Sequence, residues 1–205
     1  MRAAATLFRR NGYAATGINE IAELAGAPKG SLYHYFPDGK QQIGEAAVRL
    51  AGKSVVVTLE KLELQHETPA AVIQAYCRLL AGWMAKSGFR DGCPIATTLL
   101  ESAPQSEGIA RAGREAFAAW CRVFERTLLR DGFSKANALQ LSRLTVSSIE
   151  GALIVARAES RSVPIKDVAK SLSTVLRNCA PPRKRTRAKG VMNGSRTRQT
   201  HPSRS

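Results

Sequence analysis

The 205-residue sequence predicts an all-α protein, with a small N-terminal three-helix unit ahead of a larger helical unit. Three observations carry that expectation. Apolar residues recur at i, i+3, i+4 and i+7 through almost every segment up to Cys179. No convincing run of alternating strand residues interrupts them. Glycines, prolines and short polar residues fall where helices should stop and start.

Taken in order, residues 2–11 form a first helix with Ala4, Leu7 and Phe8 on one face, stopped by Asn11-Gly12. Thr16 is positioned to cap a second helix, in which Ile18, Ile21, Ala22 and Ala25 keep helical spacing. Gly26 suits the left-handed position after that helix. Pro28 suits the first turn of a third, where its missing N–H would have had no partner. Two short helices joined by a tight, glycine-opened turn form a helix-turn-helix pattern. After the turn at 37–39, a long helix over 40–64 turns Ile43, Ala47, Leu50, Leu59 and Leu62 inward, although Val55-Val56-Val57 blurs the pattern. Pro69 opens the next helix, with Val72, Ile73, Tyr76, Leu80 and Trp83 in phase until Ser87-Gly88. The loop SGFRDGCP leads to a short helix over 95–102, and a longer one over 107–130 clusters Phe117, Trp120, Val123 and Phe124. Residues 135–159 follow. The last helix, 164–179, spaces Ile165, Val168, Leu172, Val175 and Cys179 at 3-4-3-4, an interhelix seam.

Composition bounds the function. The net charge of +15 favours a polyanionic partner, nucleic acid before a membrane surface. Residues 180–205 hold eight basic residues and no acid, so +7 remains on the first 179. That Pro-, Arg- and Lys-rich tail cannot bury enough to offset chain entropy and is expected to be disordered. No apolar run approaches the roughly 20 residues of a membrane helix. The six residues before Arg9-Arg10 are fewer than the about 7–15 of a signal-peptide core, so a cytoplasmic protein with no membrane partner is expected. The four cysteines (Cys77, Cys93, Cys121 and Cys179) lie far apart without C-x-x-C or a nearby histidine pair, which argues against a metal site. No nucleophile–base set or phosphate loop appears, so the expectation is no enzyme, no catalytic residue and no cofactor.

PKGSLYHYF, residues 28–36, concentrates three aromatics in a chain that is only 6% aromatic. Leu32 and Phe36, four apart, should face Ile21 and the first helix. Lys29, Ser31, Tyr33 and His34 then point elsewhere, with Tyr35 at the flank. Tyrosine hydroxyls reach phosphates and their rings pack on sugars or thymine methyls, while Gly30 allows close backbone approach. Thr16 and Gly17 could offer backbone N–H groups to a phosphate at the second helix's start, and Lys40 could clamp one.

Residues 8–43, FRRNGYAATGINEIAELAGAPKGSLYHYFPDGKQQI, resemble the TetR family of one-component transcriptional repressors. The marks come in family order: F-x-x-x-G-Y, Thr16, Ile21-Ala22, Ala25-Gly26, K-G-x-L-Y-x-Y-F at 29–36, and Lys40. PDGK at 37–40 and GCPIATTLLES at 92–102 look like the LmrA/YxaF-like branch. The family ordinarily carries further residues and a basic arm before the position of Met1, and more often has serine at the position of Pro28. The resemblance implies a helix-turn-helix DNA-binding domain over 1–46, a helical ligand-binding and dimerisation domain over 47–179, and the basic tail over 180–205. It implies a homodimer on a pseudo-palindromic double-stranded operator, released by a planar or lipophilic small-molecule inducer. Tyr76, Leu80, Trp83, Met84, Phe117, Trp120 and Phe124 would then line the ligand pocket. Ser148, Gly151, Ala152, Val155, Val168, Leu172 and Val175 would pair the subunits in a four-helix bundle. The rival reading is a sequence-independent architectural DNA binder driven by charge.

Overall fold

A computed structural model describes residues 1–181, so the predicted disorder of the tail falls, beyond Ala180 and Pro181, outside the described residues. Among the described residues the chain forms helices and no strand: α1 (Arg2–Asn11), α2 (Ile18–Ala25), α3 (Lys29–Tyr35), α4 (Lys40–Gln65), α5 (Pro69–Lys86), α6 (Pro94–Ser102), α7 (Glu107–Arg130), α8 (Lys135–Glu159) and α9 (Val163–Cys179). None is long and apolar enough to cross a membrane.

The local chemistry explains most boundaries. Thr68 Oγ1 accepts from the N–H of Ala71 at 3.3 Å at the start of α5, with Pro69 in the first turn. Ser134 does the same for Asn137 at 3.2 Å at the start of α8. Gly26 ends α2 at φ 61°, and the N–H of Ala27 closes the turn on the carbonyl of Ala22 at 3.0 Å. Two expectations fail here. Thr16 does not cap α2: its fully buried hydroxyl donates to the carbonyl of Gly12 at 2.7 Å, and Gly17 takes the N-cap position, its N–H donating to Glu20 Oε2 at 2.7 Å. A free carbonyl at the end of α1 outcompetes the cap. Pro28, rather than sitting in the first turn of α3, stands just before it with φ −59°.

Two apolar clusters result. Ala4, Phe8, Ile21, Ala22, Leu32, Ile43 and Ala47 form a small core under α1, α2, α3 and the start of α4, with Phe36 packed at its edge. The larger core joins α4 through α9, and Tyr13 packs against both. Helix α4 runs through both clusters and packs along α7. That approach is close. A Cβ built on Gly52 would lie 2.7 Å from the Cβ of Ala116, and the indole of Trp120 donates to the carbonyl of Gly52 at 3.1 Å. Ion pairs bracket the seam, Arg49 with Glu115 and Glu45 toward the head, Arg126 and Arg130 with buried Glu63 at the far end.

A side chain at Gly52 must push α4 from α7. Gly52→Val is expected to destabilise the protein by about 1–3 kcal/mol in urea unfolding. Gly82→Ala, where nothing lies within 4 Å, is expected to stabilise it by about 0.5–1 kcal/mol. Equal stability of the two variants would show that the seam yields freely.

Candidate nucleic-acid interface and adjoining cavity

Helix α3 is anchored from beneath by Leu32, 8% exposed, and presents its other side to solvent. Lys29, Gly30, Tyr33, His34 and Tyr35 are exposed, and Ser31 is half-buried. Tyr33 is 46% and Tyr35 71% exposed, values that core packing does not explain for rings of this size. Lys29 Nζ lies 6.0 Å from the centre of the Tyr33 ring, one turn along, and the rings of His34 and Tyr35 meet edge-on at 5.2 Å. A Cβ added to Gly30 would touch nothing among the described residues, so no contact there requires glycine. The backbone of Gly17 is also exposed, while the Thr16 side chain is sealed inside. Lys40 turns inward. Its ammonium donates to the carbonyl of Ala14 at 3.0 Å and sits 4.7 Å from the Tyr13 ring centre. Burial lowers its pKa from the ordinary lysine value, with Glu101 and Glu20 opposing.

The end of α1 is tied to the rest of the molecule through its backbone. Its last carbonyls are met from outside α1, and that of Phe8 also accepts from the N–H of Gly12 at 3.0 Å. Thr97 Oγ1 donates to Phe8 O at 3.1 Å, the N–H of Gly92 to Arg9 O at 3.1 Å, and Arg157 to Arg10 O at 3.3 Å. Asp91 adds both charges, with Arg9 Nε at 2.9 Å and Arg10 Nε at 3.3 Å. One turn further, Glu101 accepts from the N–H of Ala14. The segment around α6 thus holds the head like a bracket.

Behind this bracket lies a cavity of about 640 Å³, within the range of small-molecule sites. Buried Tyr76, Cys93, Ile95 and Trp120 form its floor, with Leu80 and Met84 beside them. Leu50, Ala51, Ser54, Val55 and Thr58 of α4 form one wall. Arg2, Ala5, Thr6, Arg9 and Arg10 of α1 form another, so the first helix of the head is itself a surface of the cavity. Trp83, 48% exposed, stands at the open side with Lys86. Glu150 reaches in from α8 beside Leu153.

The fold and these surfaces have counterparts among known proteins. Residues 1–47 match the sequence profile of bacterial regulatory proteins of the tetR family, and residues 69–171 match that of the transcriptional regulator LmrA/YxaF-like C-terminal domain. In Bacillus subtilis strain 168, the uncharacterized HTH-type transcriptional regulator YxaF is 32% identical across 86% of this chain and 93% of its own length. The chain belongs to the TetR family of transcriptional regulators. The HTH-type transcriptional regulator LmrA of the same organism is 30% identical across 86% of this chain and 94% of its own. A TetR regulatory protein from Rhodobacter sphaeroides shares the fold, with a TM-score of 0.76 at 24% identity over 84% of this chain and 94% of that one. This TetR-family chain is therefore a DNA-binding regulator and not an enzyme.

Within the regulator, five of the seven aromatic and apolar residues expected at a ligand pocket line the cavity: Tyr76, Leu80, Trp83, Met84 and Trp120. Phe117 and Phe124 do not. Phe117 packs edge-on against Trp120 at 5.1 Å, and Phe124 is buried in the large core. Of the residues expected at a dimer face, Gly151 and Val155 are exposed and Ser148, Val168 and Val175 are half-buried. Ala152 and Leu172 point into the large core instead, each 5% exposed. Sequence reasoning missed Glu150 and the Asp91 bracket. The signal for Glu150 was present: it is the only charged residue between Arg143 and Arg157. Burial raises the Cys93 thiol well above its ordinary value, and Cys77 to about 12, which leaves neither poised as a thiolate.

Glu150 is pushed up to about 7, mainly by removal from water, with its hydrogen bond to the Cys93 thiol pulling the other way. A raised carboxyl pKa means that the folded state holds this proton more tightly than the unfolded chain. The resulting stabilisation is complete below the ordinary glutamate pKa and is lost as pH rises to about 7. Glu150→Gln is therefore expected to raise the melting temperature by a few degrees at pH 8 and by much less at pH 5, at about 2–4 °C per kcal/mol for a chain of this size. A shift that is the same at both pH values would contradict the assignment.

Proposed function

We propose that this regulator is a repressor that works as a homodimer on a pseudo-palindromic operator in the cytoplasm and leaves it when a small lipophilic molecule fills the cavity. On this reading residues 1–46 bind DNA, and residues 47–179 bind the ligand and pair the subunits. The observation that carries it is the double role of α1, which belongs to the small core through Ala4 and Phe8 and to the cavity wall through Ala5, Thr6 and Arg9. An occupant pressing on that wall, or on the facing stretch of α4, shifts the head. In a dimer this changes the separation of two α3 helices that must reach major grooves about 34 Å apart. Ligand and DNA then weaken each other's binding by the same factor, typically about 5–150-fold.

The α3 face supports DNA reading: an anchored helix, two exposed tyrosines and a lysine, and a glycine with open space before it. Charge there is sparse. Lys40 is engaged internally, which leaves Lys29 as the cation of α3. The α8 face supports pairing, because Leu144 is 43%, Ile154 57% and Val155 45% exposed around Gly151, whose added Cβ would meet nothing. Such an apolar strip favours association with a like face.

Fluorescence anisotropy with DNA from upstream of its own coding region tests the reading. Lys29→Ala is expected to weaken selective binding by about fivefold, some 1 kcal/mol, and to flatten the logarithmic salt slope by about 2 for a dimer. Tyr33→Phe is expected to weaken it similarly at an unchanged slope. A chain ending at Pro181 is expected to keep its selectivity; loss of nearly all affinity would instead favour charge-driven architectural binding. Ile154→Glu is expected to yield monomers in sedimentation, and persistent dimers would place the interface elsewhere.

A further inference from the structure

We propose that the cavity selects cationic aromatic molecules and that Glu150 is their counter-ion. This rests on the reading of the cavity as the inducer site. Glu150 Oε2 is closed off from solvent and has no hydrogen-bond partner among the described residues. The carboxyl has only the weak Cys93 thiol as a companion. A buried carboxylate in that state is costly, and the cavity is where its missing partner must come from. A protonated amine supplies both the donor and the charge. An alcohol supplies only the donor, and a carboxylate supplies neither.

The surroundings favour the same chemistry. Both tryptophans of the chain, Trp83 and Trp120, line the cavity with Tyr76, and their ring faces attract cations and stack on planar ligands. No lysine or arginine of α4, α6 or α7 lines the cavity. The titratable groups on the floor are Tyr76 from α5 and Cys93 at the start of α6, both held in their neutral forms by burial. The basic groups of the lining, Arg2, Arg9, Arg10 and Lys86, come from α1 and the end of α5. Arg9 and Arg10 are turned to Asp91, and Arg2 and Lys86 are exposed, where water and salt damp their field within about 8–10 Å. Glu150 is half-buried as a residue, but its Oε2 is closed off from that screening and its carboxyl meets Cys93 on the floor, so it sets the sign of the charge there.

Ionisation links binding to pH. A bound cation favours ionised Glu150, so binding releases the proton that the empty site holds below about pH 7. Affinity for a cation therefore rises with pH and levels off above that point.

Three probes that share one ring system and differ in the head group test the proposal: 2-naphthylmethylamine, 2-naphthalenemethanol and 2-naphthoic acid. Quenching of the protein's own tryptophan fluorescence reports occupancy, since both tryptophans face the cavity. In the full chain without DNA, the amine is expected to bind tightest at pH 8, on the order of tenfold better than the alcohol, with the acid weakest. Amine affinity is expected to fall about tenfold between pH 8 and pH 6 while alcohol affinity holds. Glu150→Gln is expected to erase both the amine's advantage and its pH dependence and to keep alcohol binding, which also shows that the variant is folded. If that variant no longer binds the alcohol, the rank order and pH profile of the unaltered protein decide. The proposal is overturned if the acid or alcohol matches the amine, or if the amine's preference survives in Glu150→Gln. Equal binding of all three sinks charge selectivity and leaves the ligand site standing. Failure of all three to bind at millimolar concentration removes the ligand site and this proposal together.

Discussion

The close contact between α4 and α7 at Gly52 is the constraint on which the rest of the architecture depends. Helix α4 crosses both apolar clusters, and at Gly52 its backbone comes near enough to Ala116 that no side chain fits between them. Such proximity lets the Trp120 indole reach the Gly52 carbonyl, which fixes the ring as the floor of the cavity. With a side chain at position 52, α4 would stand farther off, the indole would lose its acceptor and the cavity its depth. The Arg49 pairs at the head end of the seam are mostly exposed and contribute little by comparison. Backbone proximity sets the spacing, and the charges only bracket it.

A second set of contacts determines how the head sits on that frame. Helix ends normally leave carbonyls to water, and α1 instead gives Arg9 and Arg10 to Gly92 and Arg157, while Thr97 joins the N–H of Gly12 at the carbonyl of Phe8. These bonds come from α6, the loop before it and α8, all of which also face or adjoin the cavity. The head is therefore held by elements that also line the cavity. Beneath α3, Leu32 and Phe36 pack in the same small cluster as Ala4 and Phe8 of α1, so the exposed side of α3 is carried on the helix that the bracket holds.

Much of the fold was legible because each helix carries its own periodic face and punctuation. Thr68-Pro69 and Ser134 announce α5 and α8, and Gly26 announces the turn before α3. Helix α4 was the least legible, since it packs against α1, α5, α6 and α7 and so lacks a single apolar stripe. At Thr16 one short-range interaction lost to another, the open carbonyl of Gly12 four positions back. Lys40 shows the same limit. Its position at the start of α4 suggests an outward cation, yet the Tyr13 ring and the Ala14 carbonyl draw it in. The family resemblance pointed to most of the cavity's aromatic lining, and the spacing of the residues could not separate Trp120, which faces the space, from Phe124, which faces the core. Nor could it pair Asp91 with Arg9 and Arg10, some eighty positions away.

Ala5 belongs to two surfaces at once, the underside of the head and the wall of the cavity. Any substitution there reshapes both in a single mutational step. If the cavity takes the effector and α3 reads the operator, as proposed, duplicated copies of this chain would find it hard to drift in effector range while keeping an inherited operator, or the reverse, through changes in α1. Divergence of one property alone has freer routes at Tyr33 and Lys29 on one side, and at Leu153 and Met84 on the other, where each residue serves a single surface. Helix α1 is thus the segment in which the lineage's two specificities are expected to evolve as one trait.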